Sequence, residues 1–192
     1  MKIIFIHIPK TAGFTIGRCL KEINMLKDGY GFNHHIAKDI IKDKHKNNII
    51  MAVVRNPYDR LYSIYEFYSK KRDDIDKNIT FKNFIMNFEN KYFLKKVQFN
   101  TCFNFLIDNN NNLMTTDILK FENLSSEYDK FCKKYKITNN LKVMNENELK
   151  NVTINWNKLY DSEMQEVVEK IFKDDLINFN YSYEDFIKSK MK

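Results

Sequence analysis

Apolar residues run almost without interruption over 2–8 and again over 49–54, where the chain reads "IIFIHI" and "IIMAVV". Short β-branched runs of this kind belong to strands buried on both faces of a parallel sheet. Each run passes through a turn into a different rhythm. After "RNP", residues Tyr58, Leu61, Tyr62, Tyr65 and Tyr68 recur at helical spacing, and Pro57 suits a first helical turn because its missing N–H has no partner there. The pattern predicts a helix over 57–71, a second from Thr80 to Glu89 and a third from Ser125 to Tyr135. A fourth covers "SEMQEVVEKIF", opened by a Ser162-x-x-Gln165 capping box with Met164, Val167, Val168, Ile171 and Phe172 on one face. A further strand is predicted at 116–121, "TDILKF".

Strands alternating with helices predict an α/β fold with a mostly parallel central sheet. The sequence shows no internal repeat, no Pro/Gly/Ser-rich linker and no break in composition, so residues 1–192 are expected to form a single domain. In open sheets of this kind ligands bind beyond the carboxyl ends of the strands, which directs attention to the turns after residues 8 and 54.

Composition narrows the class. With 43% hydrophobic, 15% aromatic and 30% charged residues, the chain is too apolar to be disordered and suits a globular fold. Its apolar runs fall far short of the roughly 18 to 20 residues of a membrane helix, so neither an anchor nor a signal is expected and a cytoplasmic location follows. Cys19, Cys102 and Cys132 are widely spaced, with no CxxC pair, which predicts reduced thiols and no metal site. The net charge of +7 admits an anionic partner, although the abundance of Lys, Asn and Ile also reflects A/T-rich codons. The same bias lengthens "DNNNNL", which reads as a hairpin tip.

The first turn, "PKTAGFT", leads from a strand into a helix N-terminus, where unpaired N–H groups and the helix dipole favour an oxyanion. Gly13 lets backbone approach a ligand, Thr11 and Thr15 offer hydroxyls, and Lys10 supplies a mobile cation. Lys10 precedes the glycine, whereas the lysine of GxxxxGK[ST] follows it, so a magnesium-dependent NTPase is not the first reading. In the second turn Arg55 follows a buried strand directly and Ser63 lies eight residues on, a pair suited to a second phosphate.

Together, "FIHIPKTAGFT" and "VVRNPYDRLYSIYEFY" resemble the sulfotransferases that include the heparan sulfate 2-O- and 6-O-enzymes and small bacterial and viral relatives. "NHHIAKDI", Gln98, "DILKFENLSSEYDKF" and the closing "LYDSEMQEVVEKIFKDDLINFNY" follow in the family's order. The resemblance implies a P-loop-like three-layer fold, with the central sheet flanked by helices. It implies 3′-phosphoadenylyl sulfate (PAPS) as donor and PAP as product, with no metal. The loop of Lys10, Thr11, Ala12, Gly13, Phe14 and Thr15 would hold the 5′-phosphosulfate, and Arg55 and Ser63 the 3′-phosphate. The acceptor would be a hydroxyl compound, by the resemblance a carbohydrate. Three departures stand out: Phe14 where a small hydroxyl residue is usual, Lys120 in place of an arginine, and "MNENELKNVTINW", where Lys150 is a candidate substitute for missing basic residues.

Transfer to a hydroxyl needs a base, and a histidine is the natural one. The family's His-x-x-Ala spacing selects His34, with His35 in reserve and Glu22 or an acidic residue of 70–112 after them. His7 is expected to be a packed, hydrogen-bonded core residue, His45 a solvated one, and Asp117 and Glu122 structural. The residues alone leave open a nucleotide-binding module without turnover and a basic nucleic-acid-binding protein, though nucleic acid is not the expected partner.

Overall fold

The structure, a computed structural model, describes residues 2–45, 47–71, 78–88, 96–141 and 154–191. The chain forms two compact units, the first from Met1–Arg55 with Cys102–Lys150 and the second from Asn56–Thr101 with Asn151–Lys192.

In the first unit, β1 (Ile3–Ile6), β2 (Ile49–Val54) and β3 (Asp117–Lys120) form a parallel sheet in that order. Ile3 aligns with Ile49, and Met51 with Asp117. Helices α1 (Gly13–Glu22) and α6 (Leu124–Tyr135) supply Ile16, Cys19, Leu20, Tyr128, Phe131 and Cys132 to a core with Ile3, Phe5, Ile49, Met51, Val53 and Leu119. Ile4, Ile6, Ile50, Ala52 and Val54, of opposite alternation, are buried as well. Both faces are therefore covered, which is why the strands read as continuous apolar runs. Along the open edge of β1, the Ile3 N–H donates to the Met25 carbonyl (2.7 Å) and the Lys27 N–H to that of Ile3 (2.9 Å), so the edge is paired. Short helices α2 (Ala37–Ile40) and α5 (Cys102–Leu106) belong to the same unit.

The asparagine-rich tip is a hairpin, Ile107 pairing antiparallel with Leu113. The Asp108 carboxylate accepts the N–H groups of Asn110 (2.8 Å) and Asn112 (2.9 Å), and these donors, Asn112 first, hold its carboxyl below the usual range. Cys19, Cys102 and Cys132 are free thiols, all buried in this unit.

The second unit contains α3 (Pro57–Lys71), α4 (Phe81–Met86), α7 (Ser162–Ile171), α8 (Lys173–Asn178) and α9 (Tyr183–Lys190). Tyr58, Leu61, Ile64 and Tyr68 of α3 pack with Phe84, Phe88, Phe99, Met164, Val168, Phe172 and Phe186, confirming the tyrosine stripe as a core face. Arg60 is wholly buried and donates to the carbonyls of Asn100 (2.8 Å) and Gln98 (3.2 Å). Thr80 caps α4 by accepting the Asn83 N–H (3.2 Å), but α4 ends at Met86 and Glu89 lies outside the described residues. The predicted Ser162 box is replaced by Asp161, whose carboxylate accepts the Met164 N–H (3.0 Å) and also binds Lys82 (2.8 Å). A charged cap with a cation on its outer side outcompetes the neighbouring hydroxyl. Among the described residues no helix is long and apolar enough to cross a membrane.

One contact ties α1 to the segment that carries the candidate histidines. A Cβ placed on Gly17 would lie 2.8 Å from the Gly31 carbonyl oxygen and 3.4 Å from Phe32 Cε1. Gly31 has a φ of 92°, which a side chain tolerates poorly. Gly17→Ala is therefore expected to destabilise the protein by about 1–2 kcal/mol net of its gain in helix propensity. Urea unfolding at neutral pH measures this; an alanine variant as stable as the parent would show that segment to be loosely held.

Candidate active site

Because the strands are parallel, the residues that follow β1, β2 and β3 emerge at one edge of the sheet. Residues 7–12 form a tight loop after β1 in which Lys10 (φ 64°) and Ala12 (φ 62°) both adopt the left-handed conformation. For residues with a Cβ this costs about 1–2 kcal/mol each, so local contacts must impose it. Two do so. The fully buried Thr11 donates its hydroxyl to the Ile8 carbonyl (2.9 Å), and Arg55 Nη1 donates to the Lys10 carbonyl (3.0 Å). The Arg55 guanidinium in turn lies 4.0 Å over the ring of Phe121, the residue directly after β3.

Kinks of this type turn successive N–H groups inward and form a concave seat for an anion. Helix α1 continues that seat. Its N-cap, Ala12, has no side-chain cap, and no acidic residue stands in its first turn. Gly13, Phe14 and Thr15 therefore supply first-turn N–H groups at the positive end of a ten-residue helix. Lys10 is half-buried beside them and Arg55 is 6% exposed. This donor set of backbone amides, an ammonium and a guanidinium fits a ligand with several phosphate-like oxygens. The Thr11 hydroxyl hydrogen is committed inside the loop, so this side chain braces the seat.

Gly13 also has a reason the sequence did not show. An added Cβ would lie 1.8 Å from Cδ2 of His7 and 2.2 Å from its Nε2, so the His7 ring occupies the space a side chain would take. His7 meets the expectation of a hydrogen-bonded core residue only in part, its ring bonding to the backbone of Phe32 and Gly31. Its ring is half-buried, and its Nδ1 is buried with no hydrogen-bond partner among the described residues. Burial, then the charge of His34, push the imidazole down to about 4, against the carbonyls of Phe32 and Gly31. Its ring meets that of His34 edge-on, centroids 4.4 Å apart at 65°.

His34 Nδ1 lies 3.0 Å from the His7 carbonyl oxygen. A carbonyl only accepts, so Nδ1 carries the hydrogen, and in the neutral ring Nε2 is the basic nitrogen. His35, two residues before α2, is exposed, its N–H bonded to the Asn33 carbonyl (3.1 Å). Of the two candidates, His34 is the one connected, through His7, to Gly13 and the anion seat. Phe14 is 51% exposed and meets the exposed Phe32 ring at 6.2 Å.

Ser63 belongs to the second unit, buried on α3. Glu22 ends α1 in an ion pair with Arg18 (3.4 Å). Asp117 accepts from Lys134 and Tyr135, each at 2.6 Å; burial raises its carboxyl, but these donors outweigh it and hold the group below the usual range. Lys150 lies outside the described residues. His45, expected in solvent, is 2% exposed: its Nδ1 accepts the Lys42 N–H (3.1 Å) and its ring abuts Tyr30. Burial first, then Lys44, Lys27 and Lys42, lower its pKa.

A family model described as "Sulfotransferase family" matches residues 1–182. Comparison with curated proteins and with solved structures returns no match.

His7 and His45 are both held neutral in the folded chain, with pKa values below the unfolded 6.5. Unfolding takes up protons below that pH, so their contribution is fully present above 6.5 and is lost as pH falls below it, for His7 down to about 4. For His7 alone the loss between pH 7 and 5 is about 2 kcal/mol. Urea unfolding at pH 7, 6 and 5 should show this decline, and His7→Gln should flatten it. An equal slope in parent and variant would mean that His7 titrates normally.

Proposed function

We propose that this chain, which belongs to the sulfotransferase family, transfers a sulfuryl group from PAPS to the hydroxyl of an acceptor, with carbohydrate the acceptor class favoured by the resemblance. The observation that carries this reading is one connected arrangement: the Lys10 loop, the uncapped start of α1 and His34 with a defined basic nitrogen, joined through His7.

Bound PAPS supplies a sulfuryl group attached to a phosphate that departs as PAP. The first-turn N–H groups of α1 and the Lys10 ammonium would hold the 5′-phosphate end, where their partial and full positive charges oppose negative charge growing on oxygen. Arg55 would take the 3′-phosphate with the guanidinium face that Phe121 and the Lys10 carbonyl already orient. His34 would accept the acceptor's proton at Nε2, while its Nδ1–H remains on the His7 carbonyl. Gathering these groups at one sheet edge contributes orientation as well as charge.

Turnover with PAPS and thermal shift with PAP test the reading, since a ligand that binds the native state raises its melting temperature. Lys10→Ala should lower kcat by about 10² with a smaller change in PAPS affinity. His34→Ala should remove about 10² to 10⁴ of the rate together with the rising limb of kcat/KM against pH, and leave PAP binding nearly intact. Normal turnover in His34→Ala would remove His34 from the chemistry.

Arg55→Ala should weaken PAP binding by about 2–4 kcal/mol. Because Arg55 also holds the Lys10 carbonyl, adenosine 5′-phosphosulfate, which lacks the 3′-phosphate, should weaken too, though less. If that second ligand is unaffected, the loop keeps its shape without the arginine. Absence of both a PAP shift and turnover in the parent chain would overturn the proposed activity as a whole.

A further inference from the structure

The His7 side chain is packed between the start of α1 and His34, and the chemistry above gives its ring no part. Its ring fills the place of a Gly13 side chain on one side, 1.8 Å from where that Cβ would be, and meets the His34 ring at 4.4 Å on the other. Phe5 stacks behind it at 6.1 Å and 18°. The carbonyl of the same residue receives the His34 Nδ1–H. Burying the His7 Nδ1 without a hydrogen-bond partner among the described residues carries a cost, which the contacts of the ring must offset.

We propose that His7 is a positioning residue for His34: its ring, wedged against Gly13, sets the tilt of the His34 imidazole and keeps the Nδ1–H on the His7 carbonyl, so that Nε2 faces the acceptor. The proposal rests on His34 being the base of the reaction proposed above. Its physical content is geometric. A histidine ring swings about two side-chain torsions, and one hydrogen bond to a carbonyl leaves rotation about that bond unspecified. An edge-on ring 4.4 Å away removes that freedom. The wedge also serves because it does not compete for the proton: burial and the charge on His34 both disfavour protonating His7, so the proton taken from an acceptor stays on His34. In this arrangement Gly13 is glycine because a side chain there would expel the wedge.

The test has an arm independent of turnover. Nitrogen-15 imidazole shifts of His34 in the native chain at pH 8 should show the Nδ1–H tautomer, less common for free histidine. His7→Ala should shift His34 toward a tautomer mixture and lower kcat about tenfold or more, with PAP affinity within threefold of native. His7→Phe, which restores a ring of similar size, should recover most of both readouts. Gly13→Ala should resemble His7→Ala, and adding it to His7→Ala should cost little more, because the displaced ring is already gone.

An Nε2–H tautomer of His34 in the native chain overturns the proposal, as does a His7→Ala variant with native tautomer and rate. So does full additivity of the two alanine substitutions. A native Nδ1–H tautomer that His7→Ala loses, in a chain with no turnover, would leave the positioning intact and defeat the proposed reaction. If His7→Ala does not fold, the native tautomer and His7→Phe decide.

Discussion

Two helix positions one turn apart carry no side chain, and the end of the first unit that holds the candidate site is built on that absence. At Gly13 the missing Cβ leaves room for the His7 ring; at Gly17 it lets the Gly31 carbonyl come to within contact of the helix. Each glycine costs a helix about 0.5–1 kcal/mol relative to alanine. What the chain gains is a segment, 31–34, drawn against α1 closely enough for His34 to reach the His7 carbonyl. Fill either position and the helix and the segment separate by a few tenths of an ångström or more, which is enough to misplace a hydrogen bond.

The second organising contact runs across the sheet. Each strand hands one residue or loop to the same edge, and Arg55 links all three by bonding to the loop after β1 and lying over Phe121 after β3. An arginine held on an aromatic face has already lost much of its rotamer freedom. A guanidinium ordered in advance in this way would lose little further freedom on meeting an anion, which would offset part of its desolvation. The same bond stabilises the left-handed Lys10, so the strain in the loop and the placement of the second cation are maintained together.

Legibility in the sequence followed the range of the forces involved. The strands at 49–54 and 117–120, the helix from Pro57 and the tyrosine stripe were readable because burial repeats along the chain with the period of each element. The places of Lys10 and Arg55 just beyond strand ends were readable because a strand end followed by a cation is a local pattern. His45 was not, since its run "KDKHKNN" gives no hint that the ring turns inward to take the Lys42 N–H. His7 and Gly13 were each assigned a separate, local reason, whereas the structure gives them one reason, each explaining the other across six residues. At α7 the error was one position, because Asp161 and Ser162 can both cap and the tie was decided by Lys82 from far along the chain.

The distribution of sulfur has a use of its own. Cys19, Cys102 and Cys132 are all buried in the first unit, and the second unit contains no cysteine. A buried thiol reacts with alkylating reagents only when the structure around it opens, since the reactive thiolate forms only in water. The chain therefore carries native reporters on the unit with the parallel sheet, the Lys10 loop and His34, and none on its neighbour. Labelling rates would register the opening of the one while leaving motions confined to the other silent, with no foreign probe introduced.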